Sequence, residues 1–287
     1  MTGRTITVAK NAGFCFGVAR ATQAVEAEIR DRPAGERIFT LGRLIHNEDY
    51  NRRLAAGGVS IVGVEDLPRL AGEATEGAPV KVFVRAHGMS DETEALLIRL
   101  AAENPAFSFV DCTCSFVKKI HRICSEHNEA NERAKRETGK DDRFLAVLGS
   151  PDHPEVVGFL SRFKGKKVVF GNAAEAEALL GEDPTLTDGS LTPVLVAQTT
   201  QNIIEWENTK KIYNLNFKCP YIYDTICSIT DSRQTEAAEL ARKCDHVVVI
   251  GGRDSSNSAK LYAICRSICA DTVWVERAEE LPHTQNL

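Results

Sequence analysis

The chain has 287 residues, of which 43% are apolar, with a net charge of -5 and a pI near 5.9. This length exceeds one ordinary hydrophobic core and suits two or three compact α/β units. The acidic balance argues against nucleic acid and anionic membrane as partners. The N-terminus lacks a signal-peptide core and no apolar run approaches the roughly 20 residues of a membrane span, so we expect a cytoplasmic protein.

Short β-branched runs alternate with helical patterns along the chain. In chain order these runs are TITVAK (5–10), RIFTL (37–41), KVFVRA (81–86), FSFVD (107–111), RFLAVLG (143–149), KKVVFG (166–171), PVLVAQ (193–198), YIYD (221–224), HVVVIGG (246–252) and TVWVE (272–276). Runs that are apolar on both faces are typical of buried parallel strands covered by helices. The sequence therefore predicts an α/β fold.

Three segments repeat one pattern, in which a predicted strand is followed by a cysteine and an amphipathic helix. Cys15, Cys114 and Cys227 take the same place in it, and they lie roughly 100 residues apart, the size of one small α/β unit. The repeat predicts units at 1–114, 115–226 and 227–287, of which the last is short and therefore incomplete. Ligands of parallel sheets bind beyond the carboxyl ends of the strands, where all three cysteines fall.

The nine cysteines are an odd number in a chain expected in a reducing compartment, which disfavours a disulfide framework, and the absence of CxxC disfavours a zinc ribbon. Three thiolates at helix N-termini suit an iron-sulfur cluster. A 4Fe-4S cluster held by three cysteines leaves one iron open to bind substrate as a Lewis acid. The alternative is that these cysteines are buried structural residues at helix starts.

Hydrogen-bonding side chains follow most of the other predicted strands. They are His46, His87, His153 with Glu155, Thr199 with Thr200, and Ser255 with Ser256 and Asn257. A lone histidine is more often structural, and Glu155 alone would be a carboxylate at a helix N-terminus. Grouped at strand ends, imidazoles and hydroxyls beside a glycine-rich turn can bind a phosphate or diphosphate without lysine. Lysine and arginine are absent from most of these ends.

The ordered motifs resemble those of a known family. They are AGFCFGV, LIHN, RAHG, DCTCSFVKKIH, HPEVVGF, QTT, DTICSITDSRQ and GGRDSSNS, from Cys15 to Asn257. Together they resemble the 4-hydroxy-3-methylbut-2-enyl diphosphate reductases, the IspH or LytB family. The resemblance implies a pseudo-threefold trefoil of three α/β units around one 4Fe-4S cluster. It also implies reductive removal of the substrate hydroxyl to give isopentenyl and dimethylallyl diphosphates, the last step of the non-mevalonate isoprenoid pathway.

The resemblance also implies a role for each matching residue. The cluster ligands fall on Cys15, Cys114 and Cys227. The diphosphate-binding residues fall on His46, His87, His153, Ser255, Ser256 and Asn257. Glu155 is the acid that delivers a proton toward the leaving hydroxyl, assisted by Thr200 or, as second choice, Thr199. Because no GxGxxG follows a strand, an external ferredoxin or flavodoxin is the expected electron donor.

Two departures from the family pattern stand out. Cys112 and Ser115 flank the expected ligand Cys114, where family members commonly have another residue and a proline. We expect the six cysteines outside the ligand set to be structural core residues: Cys112, Cys124, Cys219, Cys244, Cys265 and Cys269. The family's Gly-Ala-Ser-Thr-Pro-like stretch does not occur, so the sequence predicts a C-terminally truncated reductase that binds substrate weakly.

Two other functions remain open from the sequence. A dehydratase similar to the quinolinate synthases would also place three cysteines around an open iron, and an inactive fragment could bind metal without turnover. The histidines and the SSN motif of residues 255–257 favour a diphosphate over a dicarboxylate ligand.

Overall fold

The computed structural model describes residues 5–281. The strands are β1 (Arg37–Leu41), β2 (Val59–Val62), β3 (Val80–Val84), β4 (Phe107–Asp111), β5 (Arg143–Leu148), β6 (Lys167–Phe170), β7 (Thr192–Ala197), β8 (Tyr221–Ile222), β9 (Val247–Ile250) and β10 (Thr272–Val275). The helices are α1 (Phe16–Asp31), α2 (Glu48–Ala56), α3 (Leu67–Glu73), α4 (Asp91–Glu103), α5 (Ser115–Thr138), α6 (Pro154–Ser161), α7 (Ala173–Glu182), α8 (Ile203–Asn216), α9 (Ser228–Lys243) and α10 (Ser256–Ile268). No helix in this part of the chain is both long enough and apolar enough to cross a membrane.

The strands form three parallel sheets that share one order. The first sheet runs β2-β1-β3-β4 and the second runs β6-β5-β7-β8, so each has the same arrangement of first, second, third and fourth strand. The third sheet, β10-β9, repeats the first half of that order. In each of the two larger sheets, the second strand is added on one side of the first strand, and the third and fourth strands are added on the other side. The strand order therefore switches between the first and third strands. This is the point where α/β sheets bind ligands.

Helices cover both faces of each four-stranded sheet. In the first sheet, Ala21 and Val25 of α1 pack with Ile38 on one face, while α3 and α4 cover the other. The helix α5 follows β4 of the first sheet but packs Val117 and Ile120 against the second sheet. In the third sheet, α9 and α10 share a smaller core. The parallel α/β class is confirmed, and the unit limits 1–114, 115–226 and 227–287 stay a prediction.

Two sequence expectations about strands were wrong. Residues 5–10 do not form a strand, because they pair with no strand of the described chain and leave Ile6 and Val8 89% and 74% exposed. Instead, the backbone N–H groups of Lys10 and Asn11 donate to Glu236 on α9. The strand β2 was missed, because only its two end residues are buried. The predicted incomplete end of the third unit reaches residues 282–287, which lie outside the described residues.

Candidate functional site

Three cysteines, which we call the cysteine trio, each occupy the position just before a helix. Cys15 precedes α1, Cys114 precedes α5 and Cys227 precedes α9, and none makes a side-chain capping bond within residues 5–281. All three are free and half-buried. Burial raises the pKa of the Cys114 thiol, and the nearby charges of Cys15 and Cys227 raise it further. Three converging sulfurs at helix N-termini are the donor set that a thiophilic metal centre requires.

The first turns of α1 hold the loop that carries Cys114. A Cβ atom on Gly17 would lie only 2.7 Å from Cys114 Sγ, so the thiol and the helix approach as closely as glycine permits. Further along α1, Arg20 donates hydrogen bonds to the backbone carbonyls of Cys112, at 3.1 Å, and Thr113. The helix that begins after Cys15 therefore also positions Cys114.

The six other cysteines lie outside the trio. All but one of them are at least partly buried, as expected. Cys112, Cys124, Cys265 and Cys269 are buried, and Cys244 is half-buried. Cys112 lies in the core between α1 and the first sheet, where burial raises the pKa of its thiol to about 11. Cys219 is exposed, so its assignment to the core was wrong. It precedes Pro220 in the loop before β8.

Three histidines, the histidine trio, meet beyond the ends of β1, β3 and β5. A ring nitrogen from each of His46, His87 and His153 lies within 4.8 Å of the others. Both ring nitrogens of His46 and Nδ1 of His87 are buried and have no hydrogen-bond partner among the described residues. Because unpaired buried polar atoms are costly, these nitrogens indicate a bound ligand that satisfies them.

The histidine rings are neutral at physiological pH. Burial lowers the pKa of His46, lowers the pKa of His87 well below its ordinary value and lowers that of His153 to about 4. In His153, Nδ1 accepts a hydrogen bond of 3.2 Å from the Glu155 backbone N–H. The proton of the neutral ring is therefore on Nε2, which is free to donate to a ligand.

The loop after β9 approaches the histidine trio from the third sheet. Gly252 lies so close to the His46 carbonyl that a side chain would clash with it, and Asp254 pairs with Arg43 at 2.8 Å. Ser255 is the N-cap residue of α10, and its Oγ accepts from the Ser258 N–H. Ser256 and Asn257 occupy the first turn of α10. The structure thus packs the loop that leads to the predicted SSN residues against the backbone of His46.

Glu155 is the buried acid of the site. It is 3% exposed, and burial raises the pKa of its carboxyl to about 7. Thr199 donates to Glu155 through its backbone N–H, at 3.0 Å from Oε2, and its hydroxyl lies 2.8 and 2.9 Å from the two carboxyl oxygens. A carboxyl with this pKa can be protonated near neutral pH and can donate that proton.

The two threonines of the QTT motif have separate partners. Thr199 contacts Glu155, whereas the Thr200 hydroxyl donates to Ser256 Oγ at 3.0 Å and accepts from Gln198 Nε2 at 2.9 Å. The geometry therefore connects the second choice, Thr199, to the acid. Thr200 instead connects the end of β7 to the SSN residues.

Sequence reasoning missed two residues at the same strand ends. Gln198 donates to Ser256 Oγ at 3.2 Å and accepts from the Ser150 N–H, so it links the loops after β5, β7 and β9. Arg85 directly follows β3, two residues before His87, within the RAHG motif. A charged residue directly after a buried strand was the available signal for Arg85.

Three imidazoles could also bind zinc, but their surroundings disfavour a cation. The positive charge of Arg85 contributes to lowering the pKa of all three histidines. Within residues 5–281 the group consists of the three histidines alone, without a carboxylate that would offset the charge of a metal ion. The histidine trio is therefore better suited to an anion.

Known proteins match nearly the whole chain. The sequence profile of the LytB protein family matches residues 6–286. A 4-hydroxy-3-methylbut-2-enyl diphosphate reductase of Geobacter sulfurreducens is 37% identical over 277 residues, covering 96% of this chain and 85% of that protein. Another, from Thermoanaerobacter sp., is 34% identical over 276 residues with the same coverage. A third, from Clostridium acetobutylicum, is 32% identical, and the chain spans 38% of its length.

Solved structures agree with the sequence matches. The structure of an (E)-4-hydroxy-3-methyl-but-2-enyl diphosphate reductase, described as the terminal enzyme of the non-mevalonate pathway, covers 97% of this chain at 31% identity with a TM-score of 0.62. The corresponding protein of Plasmodium falciparum, at 22% identity and a TM-score of 0.75, shares the fold. The resemblance and the enzyme class expected from the eight motifs are confirmed. The chain belongs to the LytB family, the 4-hydroxy-3-methylbut-2-enyl diphosphate reductases, which are iron-sulfur oxidoreductases.

Proposed function

We propose that this chain reduces 4-hydroxy-3-methylbut-2-enyl diphosphate to isopentenyl and dimethylallyl diphosphates. The main support for the proposal is the contact between the histidine trio, which suits an anion, and the acid Glu155. His153 of the histidine trio accepts from the Glu155 backbone N–H, so the trio and a carboxyl with a pKa of about 7 meet at the end of β5. A substrate held by its diphosphate would present its other end to that acid.

The cysteine trio fits one 4Fe-4S cluster per chain. Its three thiols are free, come from three separate helix starts and lie close enough to affect one another's charge. When bound, the cluster would supply single electrons and an iron site without a protein ligand that acts as a Lewis acid. Cys15, Cys114 and Cys227 are the residues that would hold it.

The diphosphate would be held by uncharged donors and a helix N-terminus. Neutral His46, His87 and His153 each have one N–H to donate. An unpartnered ring nitrogen of His46 or His87 that carries the proton requires such an acceptor. Ser255, Ser256 and Asn257 begin α10, where backbone N–H groups and the helix dipole favour an anion. Thr200 and Gln198 both donate to Ser256 Oγ and would orient the Ser256 hydroxyl toward the diphosphate.

Glu155 would deliver the proton that allows the hydroxyl to leave as water. Since the Thr199 N–H is bonded to Oε2, Oε1 is the oxygen free to carry the proton. The Thr199 hydroxyl, 2.8 Å from Oε1, can accept that proton and pass on its own. Overall, two electrons and two protons replace the C–O bond with a C–H bond and release water. A ferredoxin or flavodoxin would supply the electrons.

Product analysis of the reconstituted protein tests the proposal. The chain is purified and reconstituted with iron and sulfide without oxygen, then given a reduced flavodoxin and 4-hydroxy-3-methylbut-2-enyl diphosphate. We expect both isopentenyl and dimethylallyl diphosphates by mass spectrometry, and none from the Glu155→Gln variant above a low background. A loaded protein that binds the substrate without forming either product would contradict the proposal. Turnover of a dicarboxylate instead would support the dehydratase alternative.

A further inference from the structure

The histidine trio offers hydrogen-bond donors but no net charge. Burial keeps its rings neutral, and the serines and asparagine of the SSN motif are also uncharged. A diphosphate carries several negative charges, and a buried anion without a counter-charge is costly. The anion site described so far therefore lacks a cation.

Arg85 lies where that cation is needed. It directly follows β3, and its Nη1 lies 3.1 Å from the position that a Cβ on Gly42 would take. Gly42, with φ +70°, directly follows β1, so the guanidinium spans the ends of the two strands that lead to His46 and His87. Its charge also reaches His153 in the second sheet.

Arg85 has no counter-ion in the described part of the chain. It makes neither an ion pair nor a side-chain hydrogen bond within residues 5–281, although it is half-buried. By contrast, Arg43 at the same edge of the sheet pairs with Asp254 at 2.8 Å and with Glu48 at 3.8 Å, which offsets its charge. A half-buried guanidinium without a carboxylate indicates that an external anion completes it.

We propose that Arg85 is the cation of the diphosphate site, which binds the anion together with the histidine trio. This inference rests on the proposed function. It adds a residue whose charge contributes to substrate binding and not to the transfer of protons or electrons. A guanidinium can donate two parallel N–H groups to a phosphate, which lysine cannot do. Arg85 would also exclude divalent cations from the three histidines.

The test uses the anaerobic holoenzyme with Arg85→Gln, Arg85→Lys and the control Arg53→Gln, whose exposed guanidinium pairs with Glu26. We expect Arg85→Gln to raise KM for the substrate and Ki for inorganic diphosphate by about 10- to 100-fold, as the loss of a charge-assisted contact predicts. The kcat should change far less. Arg85→Lys should recover part of the affinity, and Arg53→Gln should match wild type.

Iron content and ionic strength separate a binding role from a structural one. Arg85→Gln should keep wild-type iron per chain, and its affinity for inorganic diphosphate should depend less steeply on salt. If wild type binds diphosphate and Arg85→Gln binds it equally well, the inference fails while the proposed function stands. If wild type neither binds diphosphate nor turns over, the proposed function fails.

Discussion

The cysteine trio and the histidine trio use the same sheets in different ways. In the first sheet, the loops after the first and third strands carry His46 and His87, and the loop after the fourth strand carries Cys114. In the second sheet, the same places carry His153, Thr199 with Thr200, and Cys227. The inner strand ends therefore gather nitrogen and oxygen donors, while the edge strands lead to sulfur.

The two trios also differ in the chemical groups that surround them. Each cysteine of its trio lies at a helix N-terminus, which favours a thiolate and so a metal centre. Among the described residues, His46 and His87 keep buried ring nitrogens without partners, and the charge of Arg85, which has no ion pair there, acts on both rings. One trio therefore offers three sulfur ligands to a metal centre, and the other offers hydrogen-bond donors to an anion. Variants of the two trios test that separation.

The largest effect is expected at the cysteine trio. Cys114→Ser should lose the cluster and with it all turnover, because a serine oxygen is a poor ligand for iron-sulfur centres. Cys112→Ser, two residues earlier, should keep wild-type iron because Cys112 lies in the core of the first unit. The measurement is iron per chain after anaerobic reconstitution. Equal loss of iron in both variants would remove the distinction between them.

Glu155→Gln should lower kcat by about 100- to 10,000-fold, because only the proton donor is removed. Iron content and substrate affinity should remain, since Gln keeps the size of the side chain. In wild type, Glu155 is protonated below its pKa of about 7, so kcat should fall as pH rises through that value. The variant should lack this alkaline limb. The pH profile of kcat, measured with saturating reduced donor, checks both points.

Stability provides the control for Glu155→Gln. The pKa of Glu155 is raised from 4.5 to about 7 in the folded chain, so the folded state holds this proton more tightly than the unfolded state. The contribution of Glu155 to the free energy of unfolding is therefore complete below about pH 4.5 and is lost as pH rises through 7. The variant should not show this loss. A kcat close to wild type in a variant with the expected stability profile would rule out the acid role.

His87→Asn should weaken diphosphate binding by about 10-fold or more while leaving the iron in place, because one buried donor is lost. The matched control is His246→Asn, whose half-exposed ring pairs with Asp271 in the third unit. Calorimetric titration of the anaerobic holoenzyme with inorganic diphosphate checks the difference. Loss of iron in His87→Asn alone would show that the two trios are not separate sites.

The smallest effect is expected from Gly17→Ala. The added methyl would lie 2.7 Å from Cys114 Sγ and force a shift of the thiol, which costs about 1–3 kcal/mol in a packed site. We expect partial iron loading and faster loss of iron in air. Gly72→Ala in α3 is the control, since no atom lies within 4 Å of its added Cβ. Identical cluster lifetimes in both variants would show that Cys114 is not held by α1.

The sequence predicted most elements that support the site, for physical reasons. Buried parallel strands are apolar on both faces, so nine of the ten predicted runs correspond to strands. The helices after Cys15, Cys114 and Cys227 were also predicted and are confirmed. The run at 5–10 has the same composition, but a strand exists only where a partner strand is in reach, and composition does not report that.

Within the site, the sequence could not assign the hydrogen-bond partners of individual side chains. Thr199 and Thr200 are adjacent and chemically identical, and only the direction of each side chain at the end of β7 separates the contact with Glu155 from the contact with Ser256. Arg85 was visible in RAHG, but that it forms no ion pair within residues 5–281 is a property of the folded chain and not of the motif. Cys219 was assigned to the core from residue type alone.

The most direct test of the account is an anaerobic count of iron, acid-labile sulfide and zinc in the reconstituted wild-type chain, with Mössbauer spectra of the same sample. We predict about four irons and four sulfides per chain, no zinc, and one iron that differs from the others because it has no cysteine ligand. Addition of substrate should change the spectrum of that iron. Stoichiometric zinc, or a cluster in which all irons are equivalent and unaffected by substrate, would contradict the account.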